Sequence, residues 1–423
     1  MSVLKRLLTM GPRDAGRRVA RRVAGSLASR FDAAGLDFPL LPEDIADSTR
    51  LQLEPPPAGS TRKKLSVAWL CTPPSPGSGG HTTLFRMVAG MEDRGHRCTV
   101  LLYNRHDSDP VRNTAIIRQY WPHLKADIRI VPQAIEGYDA CVATSWDTAH
   151  VLARRSNKGT HRFYLVQDFE PFFYPRGSLY SLAEDTYRFG FRHIALGGMV
   201  AATLLENVGV DSSMVSFGCD TGTYRLDNVG PRRGVVFYAR EAVDRRGFLL
   251  ARLALEDFHS RHPGQPIHVY GDPMGRWTVP HVHHGKLTPV QLNTLYNTSA
   301  AGLAMSFTNI SLVAEEMLAA GLTPVVNDHR YARLDLPNPG VAWAPATPGG
   351  LADALSAVVE MTSGSRSIEC SAGVRQGWDG TQAAVSNLIS DAVAGLPARP
   401  STSSQETWHY AAGTRGAETG SHG

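Results

Sequence analysis

The sequence lacks any run of 18 or more apolar residues, so nothing in it reads as a membrane-spanning helix. Cysteine is scarce: Cys71, Cys98, Cys141, Cys219 and Cys370 are odd in number and show no C-x-x-C spacing. That argues against a disulfide scaffold or a zinc ribbon, and for a reducing compartment. Charged residues make up only 19%, and the formal net charge of +4 is unevenly placed. Residues 1–30 carry Lys5, Arg6, Arg13, Arg17, Arg18, Arg21, Arg22 and Arg30 against Asp14 alone, which leaves the rest of the chain slightly acidic. A basic arm on such a body is not the broad cationic face that nucleic acid requires, so no nucleic-acid partner is expected.

What the chain does have is 423 residues, 42% of them hydrophobic, with 40 Gly and 27 Pro. This suits two or three soluble domains with many turns. The arm, residues 1–35, has no uninterrupted apolar h-region and no convincing cleavage site, which argues against a secretory signal. Val3, Leu4, Leu7 and Leu8 share one helical face, and Val19, Val23, Leu27 and Phe31 repeat every four residues with arginines between them. Such an amphipathic helix would lie on an anionic leaflet, placing a cytoplasmic protein on the inner face of the plasma membrane. The plainer alternative is a solvated basic leader. Residues 36–63 are proline-containing and aperiodic, and read as a linker wrapping the first domain.

From Leu65 onward the pattern alternates. LSVAWLC is a buried strand, GHTTLFRMVAGMEDRG a helix stopped at Gly95, and CTVLLY a second strand, which makes a βαβ unit. Further strands are expected at 127–131, 139–144, 162–167, 193–197 and 214–218. After a break at 221–233 the alternation resumes, with strands at 234–240, 267–271, 281–285, 301–306, 323–327 and 341–344. The fold class is α/β: an N-terminal Rossmann-like domain at 64–222 and a C-terminal one at 232–396, facing across a cleft, then a disordered tail at 397–423. Ligands are expected in the loops that follow the strands.

Four motifs carry chemistry. In PPSPGSGGHTT, Gly79 and Gly80 let backbone approach a ligand, and His81 opens the helix beside them; a tight structural turn is the alternative. As a dinucleotide fingerprint the motif fails, because Thr82 stands where glycine or alanine is required. In YLVQDFEPFFYP, Gln167, Asp168 and Glu170 follow a strand among Phe169, Phe172, Phe173 and Tyr174, as in a carbohydrate or nucleobase platform or an aromatic core patch. Arg240, Arg245 and Arg246 precede a helix start, where guanidinium groups can hold a diphosphate. In MSFTNISLVAEEMLAAG, Thr308, Asn309 and Ser311 form a polar turn ahead of Glu315 and Glu316. Two patterns are set aside. Asp107-Ser108-Asp109 has a D-x-D form but falls after only the second strand. His281, His283 and His284 lack companions elsewhere and read as strand-end histidines, not metal ligands.

The segments FYAR…RRG (237–247), HHGKLTPVQLNTLYN (283–297) and SLVAEEMLAAGLTPVV (311–326) resemble the donor half of retaining GT-B glycosyltransferases. Over roughly 65–395 the chain is more closely similar to bacterial rhamnosyltransferases of the WsaF type. PPSPGSGGHTTLFR, ATSWDTAH, VQDFEPFFYPRGSLYSLAEDTYRFGF and SFTNISLVAEEMLAAG carry that likeness. The resemblance implies retaining transfer of L-rhamnose from dTDP-β-L-rhamnose to a surface polysaccharide or lipid-linked glycan. It implies no bound metal and no cofactor beyond the nucleotide-sugar donor. Arg240, Arg245 and Lys286 become nucleotide or diphosphate contacts beside Thr308, Asn309 and Ser311. Glu316 matches the last Glu of an E-x7-E pattern; Thr308 stands where the first should be. His81, Asp168 and Glu170 are the catalytic candidates, and Gly79, Gly80, Asp147 and Gln167 line the acceptor side. The alternatives are a hexosyltransferase using a UDP- or GDP-sugar, or a non-catalytic two-lobed binder of sugar nucleotides.

Overall fold

The structure is a computed structural model that describes residues 38–57, 59, 62–105, 109–156, 159–310, 312–361, 364–375 and 377–397. The arm expected at 1–35, the tail from 398 on, Asp107, Ser108 and Ser311 lie outside the described residues. The chain divides into two compact units, Met1–Ile45 and Ala46–Gly423. In the first, the described residues form a short 3-10 turn at Pro42–Asp44. The second holds everything below.

Continuous apolar runs dictate strands buried on both faces, which parallel sheets demand. Strand β1 (Ser66–Cys71) leads to helix α1 (Gly79–Asp93), β2 (Arg97–Leu102), α2 (Pro110–Tyr120) and β3 (Asp127–Ile130). The chain then returns to the middle of the sheet as β4 (Ala140–Ala143), α3 (Trp146–Arg155) and β5 (His161–Val166). It finishes with α4 (Ser178–Asp185), β6 (Arg192–Leu196), α5 (Gly198–Val208) and β7 (Ser213–Val215). All pairs are parallel, in the order β3-β2-β1-β4-β5-β6-β7.

The second series opens with β8 (Val235–Ala239), α6 (Phe248–Arg261), β9 (Ile267–Gly271) and β10 (Val282–His283). It continues with α7 (Pro289–Thr298), β11 (Ala301–Leu303), α8 (Leu312–Ala319), β12 (Thr323–Asn327), α9 (Ala332–Asp335) and β13 (Ala342–Ala344). Helices α10 (Pro348–Met361), α11 (Gly364–Ala372) and α12 (Asp379–Val393) follow. This sheet is also parallel, ordered β10-β9-β8-β11-β12-β13. Each sheet reverses direction once, between β1 and β4 and between β8 and β11, and the crevice at such a switch point is where ligands bind in open α/β sheets.

Two expectations are corrected. Helix α12 does not belong to the second sheet, as a boundary at 396 would have it. Val385, Ile389 and Val393 recur every four residues and join Val67, Phe85, Val88 and Ile194 in the first sheet's core. An amphipathic helix goes where its stripe is covered, and α1 presents the matching face. Gln382 donates through Nε2 to the Arg86 carbonyl at 2.8 Å and Thr381 through Oγ1 to the Ser216 carbonyl at 2.7 Å. The break at 221–233 is tied down by hydrogen bonds. Asn297 accepts from the Asp227 and Asn228 amides, and Arg232, buried, donates to the carbonyls of Tyr296, Asn228 and Ala320. The expected strand at 281–285 pairs over only two residues, on the sheet's edge.

The linker segment from Ala46 onward lies on the first sheet's periphery. Its Ala46 amide donates to His150 Nδ1, its Ser48 bonds Asp185, and its Glu54 accepts from the Gly159 amide. All five cysteines are buried and free. No helix among the described residues is long and apolar enough to cross a membrane.

The sheets are also joined by a cap. Asp335, at the end of α9, accepts from the Gly198 and Met199 amides at 2.5 and 2.9 Å, satisfying the first turn of α5. Replacing Asp335 with alanine leaves those amides buried without a partner. The expected loss is about 2 kcal/mol of unfolding free energy, read from urea or thermal unfolding; an unshifted transition would contradict the cap's role.

Candidate active site at the seam between the sheets

The loops that leave the carboxyl ends of β5, β8 and β11 converge. Gln167, Asp168 and Glu170 follow β5; Arg240, Arg245 and Arg246 follow β8; Ser306 to Asn309 follow β11. The seam closes on two hydrogen bonds. Thr308 Oγ1 donates to Asp168 Oδ2 at 3.0 Å, and Asn309 Nδ2 donates to the Gln167 carbonyl at 3.3 Å. Gln167 Nε2 in turn donates to the Gly80 carbonyl at 3.2 Å, tying in the glycine loop after β1.

Two arginines supply the charge. Arg245 sets its guanidinium 4.1 Å over the Phe173 ring, with Nε 3.8 Å from Asp168 Oδ2. Arg246 Nη1 donates to Ser306 Oγ at 2.8 Å and lies 3.4 Å from Asn309 Oδ1. Burial pulls the Arg246 pKa down, and Asp168 opposes that shift. The backbone turns through the left-handed region at Gly247 (φ 64°), which favours glycine before α6 begins. Arg246 also lines a small cavity with Tyr238, Leu303, Ala304 and Met305, at the switch point of the second sheet.

Asp168 is 6% exposed, and burial raises its pKa to about 6 although Arg245, Arg246 and Thr308 pull the other way. Its Oδ1 and the Arg245 Nε are both buried without a hydrogen-bond partner. Glu316, on α8, is raised to about 8, again by burial, with Arg86 opposing and Asp220 adding to the shift. The Arg86 charge comes from α1 of the first sheet, where its guanidinium lies 4.8 Å over the Trp378 ring, and Tyr224 adds a hydrogen bond.

The remaining candidates occupy different places. Arg240 is exposed, bonded to Tyr238 Oη at 3.0 Å and 4.0 Å from Asp272. Lys286 is exposed just past β10. His81 donates from Nε2 to the Thr72 carbonyl and accepts at Nδ1 from Ser78 Oγ, both at 2.9 Å, so it fastens its own loop. Burial lowers its pKa and keeps it neutral there. Glu170 and Asp147, expected at the catalytic and acceptor sides, are structural. Glu170 accepts from the Trp146 amide at 2.5 Å and from Tyr164 Oη at 3.1 Å, capping α3. Burial raises its pKa to about 8, with Asp147 adding to it. Asp147 accepts from Ser145 Oγ and the Thr148 amide. Gly79 and Gly80 open α1, and a Cβ would have room at either. His268 Nδ1 meets His284 Nε2 at 3.0 Å, and His283 reaches the Gly271 carbonyl.

Arg86 was not expected as a site residue, whereas Arg246 belonged to the expected cationic cluster. Arg246 had a visible signal, the paired arginines ahead of Gly247. Arg86 had none, because its neighbour Trp378 is almost three hundred residues away.

Comparison with known proteins adds the family. The model of the WsaF N-terminal domain matches residues 126–197 and that of the WsaF C-terminal domain matches 233–356. Each half of the chain thus carries a match to one WsaF domain. A Myxococcus xanthus protein named O-antigen biosynthesis protein RfbC is 30% identical over 272 residues, 59% of this chain. The chain spans only 21% of that relative's length. Among solved structures, Anabaena HepE in complex with UDP and glucose superposes with a TM-score of 0.58 at 15% identity, covering 78% of this chain and 100% of HepE. A UDP-N-acetylglucosamine 2-epimerase candidate of Listeria monocytogenes gives 0.53 at 11% identity, covering 79% and 98%. The chain therefore has the two-sheet GT-B fold.

Because the Thr308 bond favours the ionised carboxyl, its loss should cost more where Asp168 is charged. The folded pKa of Asp168 is raised, so the stability linked to its protonation is full below about pH 4 and fades as pH rises through about 6. Thr308→Val removes the donor at nearly constant volume. Urea unfolding should show it destabilised by about 2 kcal/mol at pH 8 and by clearly less at pH 5. Equal losses at both pH values would remove the seam bond from this account.

Proposed function

We propose that the chain is a glycosyltransferase that moves L-rhamnose from dTDP-β-L-rhamnose onto a cell-surface polysaccharide or lipid-linked glycan, with retention of anomeric configuration. The observation that carries the reading is the seam itself. Two arginines stand at a switch point on one side, and a buried carboxyl faces them from the other. The WsaF match supports the family, the name of RfbC supports a polysaccharide product, and UDP-glucose bound to HepE supports a nucleotide-sugar donor.

The donor lies against the loops of the second sheet. Its nucleoside is held near Glu316, and its diphosphate by Arg246 and Arg245, with Arg240 and Lys286 at the rim. As the bond from the anomeric carbon to the phosphate oxygen breaks, negative charge grows on the leaving nucleotide. Preorganised guanidinium groups stabilise that charge where it develops. Arg246 is fixed for this by Ser306 and Asn309, so little reorganisation remains. The supply of positive charge by these side chains is the ground for a metal-independent transfer. The acceptor hydroxyl attacks from the face the phosphate leaves, and its proton passes to the leaving phosphate oxygen. Asp168 orients that hydroxyl. The enzyme would work in the cytoplasm, with the basic arm on the inner face of the plasma membrane.

A panel of dTDP-, UDP- and GDP-sugars, followed by release of nucleoside diphosphate, tests the reading. Turnover should be confined to dTDP-rhamnose. Arg246→Ala and Glu316→Ala should each lower kcat/KM by about a hundredfold or more with the circular dichroism of the wild type. A preference for another nucleotide would replace the donor, and wild-type turnover in Arg246→Ala would remove the diphosphate assignment.

A further inference from the structure

The second sheet's cleft loop ends in a phenyl ring that the core does not absorb. Phe307, beside Thr308, is 42% exposed. Across the seam Phe172, four residues past Asp168, is 41% exposed while Phe169 beneath it is fully buried. Both rings are positioned, not loose. Phe172 packs edge-on against Phe169 with centroids 4.7 Å apart, and its amide donates to the Phe169 carbonyl at 3.0 Å. The Phe307 amide donates to the Arg245 carbonyl at 3.1 Å, and the Phe307 ring lies against Gly247. Arg245 links the two sides, since its guanidinium rests on Phe173, next to Phe172. Between the loops that carry these rings sits the Asp168 carboxyl, with Oδ1 buried and unpartnered.

A soluble protein exposes large aromatic rings beside a buried, unsatisfied carboxyl oxygen at a cost, unless something covers both. The cover must present an apolar face to the rings and a hydroxyl donor to the oxygen. A pyranose does so: its axial C–H bonds make a flat apolar patch, and its rim carries hydroxyls. We propose that Phe172 and Phe307 form the acceptor subsite, gripping the terminal pyranoside of the acceptor glycan while Asp168 Oδ1 accepts from its hydroxyl. This rests on the glycosyltransferase reading and deepens it by naming the acceptor's end group. The subsite draws on both sheets, so it is complete only when the seam is assembled.

The test uses the full chain saturated with dTDP, whose binding is measured first by calorimetry. Methyl α-L-rhamnopyranoside, methyl α-D-glucopyranoside and methyl α-D-galactopyranoside are then probed by saturation-transfer NMR. At least one should show transfer to its ring C–H protons. Phe172→Ala and Phe307→Ala should each weaken its binding by about tenfold, with Phe172→Tyr and Phe307→Tyr restoring it. Binding unchanged in the alanine variants, or no pyranoside binding to a wild-type chain that binds dTDP, overturns the subsite. Failure of dTDP, UDP and GDP alike to bind would instead strike at the donor reading.

Discussion

The buried Asp168 carboxyl is the point on which the arrangement turns. Burying an ionisable group is costly unless donors and opposite charge meet it. Here the compensation is supplied from the other sheet: a hydroxyl from Thr308 and guanidinium charge from Arg245 and Arg246. The cluster draws on both sheets, because the carboxyl leaves β5 while its partners leave β8 and β11. The compensation is incomplete, as the unpartnered Oδ1 and Arg245 Nε show. A cluster that is nearly but not fully satisfied is what a substrate hydroxyl or a phosphate can finish, and on this the proposed site rests.

The rest of the fold serves to bring those loops together. Parallel strands send every carboxyl end to one side of their sheet, and loops from both sheets meet at the seam. Asp335 caps α5 from the second sheet, and α12 crosses back to fill the first sheet's core. Cys219 and Gly377 pair where the outgoing and returning segments run side by side. The chain therefore passes between the sheets twice, and the side chains at the seam are held in register by features remote from it.

How much of this was legible in the sequence depended on how local the cause was. Strands such as TPVVN and IHVYG are continuous apolar runs between breakers, and they formed at the positions expected. The helix Pro289–Thr298 announces itself by Thr288, Pro289 and Gln291, and the capping box is there. What was hidden was pairing over distance. The stripe Val385, Ile389 and Val393 shows that α12 is amphipathic but not which core it serves. Glu170 and Asp168 look alike in the sequence, two acids after one strand; only the fold turns Glu170 back to cap α3 and Asp168 forward to the seam. His81 beside three glycines has the form of a catalytic residue, yet Thr72 and Ser78 use both of its nitrogens.

Thr308 shows the same dependence in chemical terms. The pattern that the second half resembles would place a glutamate there. In this chain the residue lies within hydrogen-bond reach of Asp168, and a second carboxyl so close would force one of the two to hold a proton, since like charges raise each other's pKa. A hydroxyl removes that conflict and donates a bond instead. The seam thus keeps one carboxylate where two would compete, with the acid carried by the first sheet and its donor by the second. A threonine that looks like the loss of a sugar-binding acid is, in three dimensions, the partner that a carboxyl from the opposite sheet requires.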